Sequence, residues 1–348
     1  MELPPPTPAP GRLTRRRVLG GFAAGAAGAA VAATGCRSGG TSGRTGPRTI
    51  RYGDDDRQVV DLWLPAPAPA GAASTSSSGT GAGAGTARPP TTAGSDGAGA
   101  STGPPEPTAG TTRSGRRGRT VFVLVHGGFW RSSYTRSQME PLARALVARG
   151  FAAWNVEYRP VGDGGGWPRT FVDVAAAVDR LQREARSERL DVERVVSVGH
   201  GSGGTMALWS AARRRLPVGQ PGADPAVLPA AVVSLAGLNN LASAAFEGLG
   251  DGAVETLMGR LPRDDGKDAY ALADPAELLP LGVPQLLVHG QNDRVVPLRQ
   301  TVAYANRAAK AGDDASTLVV PGAAHFDVLD PRRRAWGQIL DWVQARLG

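Results

Sequence analysis

The chain reads as an α/β protein built on a mostly parallel, doubly wound sheet with helices on both faces. Three observations carry this. Short, continuous apolar runs such as Thr120-Val-Phe-Val-Leu-Val125 have the composition of strands buried on both faces. Stretches with helical spacing alternate with them. At Val195-Val-Ser-Val-Gly-His-Gly-Ser-Gly-Gly204, a β-branched strand meets a glycine-rich turn and a helix follows at once.

The N-terminus comes first. Thr14-Arg-Arg-Arg-Val-Leu19 and the Ala/Gly stretch to Gly35 form a charged region followed by a weakly apolar one, the pattern of a twin-arginine export signal over residues 1–35. Ala33-Thr-Gly-Cys36 resembles a bacterial lipobox, and Cys36 is the single cysteine of the chain. The reading is a lipidated Cys36 and tether over 36–47, placing the protein outside the cytoplasm with its lipid in the membrane. The alternative is an uncleaved span, for which the segment is short and glycine-diluted. One cysteine also means that no internal disulfide supports the fold.

From residue 48 the globular domain is expected to run to 348. Thr49-Ile-Arg-Tyr52 and Gln58-Val-Val-Asp-Leu-Trp-Leu64 flank Gly53-Asp-Asp-Asp as a hairpin. Residues 66–118 are dominated by Ala, Gly, Ser, Thr and Pro without apolar periodicity. They are expected to be a disordered insert, on the rim opposite the active loops. The pattern then predicts strand 120–125 and a helix opened by the capping box Ser137-x-x-Glu140, with Met139, Leu142, Leu146 and Val147 on its core face. Strand 151–157 follows. Next comes a helix capped by Thr170, with core face Phe171, Val174, Val178 and Leu181. Strand 194–198, its helix and strand 230–235 lead into an irregular stretch, 239–279. Strand 284–288, helix 297–311, strand 317–320 and a closing helix burying Trp336, Ile339, Leu340, Val343 and Leu347 complete the domain.

The formal net charge is +8 and the pI about 10.4, yet only Lys267 and Lys310 are lysines. Many of the arginines lie in the N-terminal segment or the 113–119 cluster. No aromatic-plus-basic platform or recognition helix accompanies them, so nucleic acid is not an expected partner. The four histidines, His126, His200, His289 and His325, each follow an apolar run at a strand end. They show no metal-ligand spacing, and neither metal nor cofactor is expected.

Four strand-end motifs converge on the carboxyl edge of such a sheet. His126-Gly-Gly-Phe-Trp130 can turn the backbone amides of Gly127, Gly128 and Phe129 toward a developing oxyanion. The 195–204 turn has the build of a nucleophile elbow, G-x-Nu-x-G. Val288-His-Gly-Gln-Asn-Asp293 offers a carboxylate, and Pro321-Gly-Ala-Ala-His325-Phe-Asp327 a late histidine. Nucleophile, then acid, then histidine is the order of α/β-hydrolases. His325 would be the general base and Asp293 its orienting partner. His200 and His289 read as structural residues flanking their turns.

These motifs carry a resemblance. His126-Gly-Gly-Phe-Trp130, Glu157-Tyr-Arg159, Gly164-Gly-Gly-Trp-Pro168, Ala207-Leu-Trp209 and His325-Phe-Asp-Val-Leu-Asp-Pro331 make the chain, from Tyr52 onward without the insert, similar to α/β-hydrolase esterases of the feruloyl-esterase-like and kynurenine-formamidase-like group. The resemblance implies an α/β-hydrolase fold and a carboxylesterase acting on a small ester or acyl substrate. The group's elbow reads Gly-His-Ser-Ala-Gly-Gly. Laid on this chain without gaps, its serine falls on Gly201 and its alanine on Ser202. Three readings stand. The turn slips by one residue and Ser202 becomes the nucleophile; the position carries none and the protein binds without turnover; or His325 activates water directly.

Overall fold

The computed structural model describes residues 46–66, 118–263 and 265–348. The expected export signal, Cys36, nearly all of the tether and the interior of the insert lie outside the described residues.

In chain order the elements are β1 (Arg48–Arg51), β2 (Val59–Trp63), β3 (Arg119–Val125), α1 (Glu140–Val147), β4 (Ala152–Val156), α2 (Arg169–Asp179), α3 (Leu181–Glu188), β5 (Leu190–His200) and α4 (Ser202–Ala212). They continue with β6 (Ala231–Leu235), α5 (Leu241–Phe246), α6 (Leu249–Met258), α7 (Lys267–Ala273), β7 (Gln285–Gly290), α8 (Arg299–Lys310), β8 (Ala315–Val320) and α9 (Arg334–Leu347). The strands form one sheet in the order β1-β2-β4-β3-β5-β6-β7-β8. β1 and β2 pair antiparallel, as does β2 with β4; all other neighbours run parallel. This is the α/β-hydrolase fold. Strand order reverses around β3, whose neighbours are β4 and β5, so the crevice beyond their carboxyl ends is where such a sheet holds a ligand.

Two apolar layers cover the sheet. On one face Phe171, Val174 and Val178 of α2 pack with α4 and α8 against Val121, Val123 and Val125. On the other, Leu142 and Leu146 of α1 and Trp336, Ile339 and Val343 of α9 pack against Phe122, Leu124 and Val198. The central strands are buried on both faces, which is why they read as unbroken apolar runs.

Local expectations needed three corrections. Ser137 does not cap a helix. Thr135 caps a 3-10 turn over Arg136–Met139, and the α-helix waits until Glu140, where Pro141 suits its first turn. Thr170 is not a cap either. α2 starts one residue before it, and its buried hydroxyl donates to the Arg159 carbonyl and accepts from the Gly166 amide, bracing the 159–166 loop. The stretch 239–279 is not irregular: it carries α5, α6 and α7, with α6 kinked at Gly250-Asp251-Gly252.

Candidate active site

Four loops at the carboxyl edge build the site. The first follows β5. A Cβ on Gly199 would overlap the Gly203 carbonyl, and one on Gly203 would overlap that of Val125, so strand and helix meet only because both residues are glycine. Between them Gly201 sits at φ 54°, ψ −117°, a region of the map that side chains avoid. Its amide donates to the Leu235 carbonyl (2.9 Å), and its carbonyl accepts from Gly204 (3.0 Å) and Leu238 (3.1 Å). The turn is therefore fixed with Gly201 at the tip.

The expected slip to Ser202 does not occur. Ser202 is the first residue of α4 and 1% exposed, and its Oγ is buried beside Tyr158, with no close hydrogen-bond partner among the described residues. One residue past the tip, the chain has turned into the helix and the side chain points into protein. What Ser202 keeps at the site is its backbone amide, the group an elbow normally lends to the oxyanion.

The second and third loops bring acid and base together. Asp293 follows β7. Its Oδ1 accepts from the amides of Val295 (2.8 Å) and Val296 (2.9 Å), and its Oδ2 from Nδ1–H of His325 (2.7 Å). The two loops are stitched by backbone bonds from Asn292 to Ala323 (2.8 Å) and from Gln291 to Val320 (3.0 Å). Burial alone would raise the Asp293 carboxyl. Hydrogen bonds from His289 and His325 and the nearby imidazole outweigh it, holding the group well below the usual carboxylate range. With Nδ1–H committed to Asp293, the neutral His325 ring carries its lone pair on Nε2. That atom faces the tip: a Cβ on Gly201 would lie 3.4 Å from it.

His200 and His289 support this pair. Nε2–H of His200 donates to the His325 carbonyl (3.1 Å), and its ring lies 4.5 Å from that of His325. Burial and then the His325 charge push His200 down to about 3, so it stays neutral. His289 accepts from Thr301 Oγ1 at Nδ1 (2.8 Å). Its Nε2–H points at the Val296 carbonyl (2.9 Å) and lies 3.3 Å from Asp293 Oδ2. Sequence reading placed both as flanking residues; their contacts with the dyad were invisible in it.

The oxyanion loop follows β3. Of the three amides expected to serve, Gly127 does not, because its N–H donates to Gln138 Oε1 (2.7 Å). Among the described residues no hydrogen bond engages the amides of Gly128, Phe129 or Ser202. Phe129 and Trp130 both adopt positive φ, 54° and 57°, a cost of roughly 1–3 kcal/mol each that the packing around them sustains. The loop is anchored from below. His126 Nε2–H donates to Glu157 (2.9 Å), its ring stacks on Tyr158 at 4.3 Å, and Glu157 also accepts from the Arg136 amide (2.9 Å). This explains the Glu157-Tyr-Arg159 motif as scaffold.

A cavity of about 100 Å³ opens between these loops. Gly128, Gly201, Ser202 and His325 form its floor, and the side chains of Phe129, Tyr134, Leu238, Val295, Val296 and Phe326 its walls. No periodicity marked Tyr134 or Leu238 in advance, since both lie in loops. Among the described residues no cluster of three or more His, Cys, Asp or Glu could hold a metal.

Sheet order, elbow and a histidine–carboxylate pair at the reversal of strand order define an α/β-hydrolase. Residues 112–307 match the family model BD-FAE, and the chain belongs to that family of α/β-hydrolase-like esterases. Two curated relatives are esterases of Mycobacterium tuberculosis. LipQ is 28% identical over 224 residues, covering 62% of this chain and 52% of LipQ. LipC is 26% identical over 226, covering 61% and 54%. The chain thus spans about half the length of the curated relatives it matches. Among solved structures, a truncated carbohydrate esterase from gut microbiota superposes with TM-score 0.62 at 17% identity, covering 87% of this chain and 99% of that one. The thermophilic esterase Est2 of Thermogutta terrifontis gives 0.58 at 17%, covering 86% and 91%. Both support the fold.

Proposed function

We propose that the protein is an esterase-type hydrolase whose attacking group is water rather than a serine. His325 Nε2, aligned by Asp293, removes a proton from a water held over Gly201. The water oxygen attacks the ester carbonyl, and the amides of Gly128, Phe129 and Ser202 receive the oxyanion. The observation that carries this reading is His325 Nε2 aimed at a tip without a side chain, 3.4 Å from where a Cβ would be. Base, carboxylate and donors keep their hydrolytic arrangement while the nucleophile is missing. Such a site is slow. In serine hydrolases that lose the nucleophile, the residual acceleration is about 10³–10⁴ over water.

The same Gly201 favours a second reading, an acyl-binding protein without turnover. One experiment separates the two. The natural protein is expected to hydrolyse p-nitrophenyl acetate slowly and to resist fluorophosphonate labelling. Gly201→Ser should raise the rate by orders of magnitude and take the label, because a Cβ there clears its neighbours. Ser202→Ala should leave labelling absent. If the natural protein releases no p-nitrophenol while a folded Gly201→Ser does, binding without turnover is the function. Labelling of the natural protein that Ser202→Ala abolishes would restore Ser202 as nucleophile.

The N-terminal motifs support a second proposal, that the protein is exported and held at the membrane through lipid on Cys36. Cys36→Ala is then expected to move it from the membrane fraction to the soluble one. Retention in the membrane would indicate an uncleaved span.

A further inference from the structure

Two imidazoles face one carboxylate oxygen. His325 Nδ1 lies 2.7 Å and His289 Nε2 3.3 Å from Asp293 Oδ2. Only His325 opens on the cavity, while His289 is fully buried. An imidazolium at His289 would draw on the same charge that His325 needs to act as a base. What lies behind His289 therefore bears on the site.

A line of buried polar side chains leads up to it. Ser234 Oγ on β6 lies 2.7 Å from Asn239 Oδ1, on the loop that follows. Asn239 Nδ2 lies 3.3 Å from Thr301 Oγ1 on α8, and that oxygen lies 2.8 Å from His289 Nδ1. The direction of the line is set at its His289 end. Nε2 meets two oxygens that only accept, the Val296 carbonyl at 2.9 Å and Asp293 Oδ2 at 3.3 Å, so it carries a proton. Nδ1 then accepts and the Thr301 hydroxyl donates to it. That hydroxyl accepts from the Asn239 amide, whose oxygen accepts from Ser234. Every donor meets an acceptor. A line run the other way would aim the Nε2 lone pair at two oxygens.

We propose that Ser234, Asn239 and Thr301 are positioning residues: they keep a donor on His289 Nδ1, so that this ring takes no second proton and the Asp293 charge is left to His325. The proposal rests on the reading of His325 as the base. A second proton would bring a full positive charge to 3.3 Å from Oδ2. Asp293 would then stabilise a protonated His325 less, and His325 would remove a proton from water less readily. The ionisable groups around His289 are Asp293 after β7, His325 after β8 and His200 at the end of β5. Of these only Asp293 favours a charged His289, and the Thr301 hydroxyl opposes it.

The test begins with the natural protein at pH 7 and needs no turnover. NMR of the ring nitrogens in protein carrying nitrogen-15 histidine should find the His289 proton on Nε2 alone. Asn239→Asp has nearly the same shape but turns two accepting oxygens toward this line. The Thr301 hydroxyl should swing to the new carboxylate and accept from Nδ1, so that His289 carries protons on both nitrogens. p-Nitrophenyl acetate turnover should then fall about tenfold or more, a part of what a positioned base contributes. The same fall is expected when Asn239→Asp is added to Gly201→Ser. Thr301→Ser keeps the hydroxyl and should keep the His289 pattern. A proton on Nδ1, or on both nitrogens, in the natural protein would overturn the proposal. So would ring signals that a folded Asn239→Asp leaves unchanged, or changed signals with turnover held in both backgrounds. No turnover by the natural protein would remove water attack alone, since the Gly201→Ser pair still reads the effect of His289 on His325.

Discussion

At the scale of single residues, two neighbouring positions govern the site. A glycine stands at the tip, where the backbone is strained, and the serine after it buries its hydroxyl beside the Tyr158 side chain. Glycine avoids a strain of roughly 1–3 kcal/mol at the tip, and the buried hydroxyl is lost to the cavity. Asp293 orients the imidazole of His325. Its carboxyl is held below its ordinary value of 3.8 in the folded protein, so folding favours the ionised form. The resulting stability is complete above about pH 4 and is lost as pH falls toward the lower folded-state value. Asn at 293 would also supply an amide where His325 Nδ1–H needs an acceptor, favouring the wrong tautomer. Asp293→Asn is expected to cut turnover roughly 10²-fold, a large part of the acceleration such a site has. Thermal melts from pH 7 to pH 2.5 should show the gap between natural protein and variant narrowing below pH 4. A gap that stays constant would mean that the carboxylate is not held by the bonds described.

At the scale of elements, strands were easier to read than short helices. β3, β5, β6 and β7 are buried on both faces, so their apolar runs needed no periodicity to be visible. The elbow was legible because close approach of β5 and α4 demands glycine at two fixed positions. α5 and α7, at six and seven residues, are too short to display a helical repeat, and their stability comes from outside. Asp274 is one such support. Fully buried after α7, it accepts from the amides of Ala242 (2.9 Å) in α5 and Ala276 (3.0 Å). Gln138 taking the Gly127 amide is another contact across loops that no local pattern announces. Burial, only partly offset by these amides, raises the Asp274 carboxyl to about 6. The sign is opposite to that of Asp293. The folded protein holds this proton more tightly than the unfolded chain, so the contribution is full below about pH 4 and lost as pH rises through 6. The loss amounts to about 3 kcal/mol. Asp274→Asn does not titrate. Urea unfolding at pH 4.5 and 7.5 should show the variant gaining about 2 kcal/mol on the natural protein, the part of the loss that falls between the two values. Equal differences at both values would place the titration elsewhere.

At the scale of the whole molecule, the sheet separates its two edges by function. The residues of the candidate site emerge from the carboxyl ends of β3, β5, β7 and β8, where strand order reverses and four loops converge. The described ends of the 66–118 segment lie at the other edge. Trp63 of β2 registers with Ala153 at the start of β4, and Phe122 of β3 registers with the same residue. Trp63 and Phe122 therefore share a row two strand spacings apart, roughly 10 Å. A linker of about six residues could cross from Ala66 to Gly118 without disturbing either strand. Replacing residues 67–117 by such a linker is expected to leave p-nitrophenyl acetate turnover, and its response to Gly201→Ser, within about twofold. Closing a loop some eightfold shorter should also stabilise the fold by about 2 kcal/mol. Both follow from where the described ends lie, since residues 66 and 118 leave and re-enter at the amino edge, opposite the cavity between the site loops. Loss of turnover in a shortened protein that still melts cooperatively would show that the segment reaches around the sheet to the site. Intact turnover with no gain in melting temperature would show instead that the segment packs on the domain and contributes to its stability.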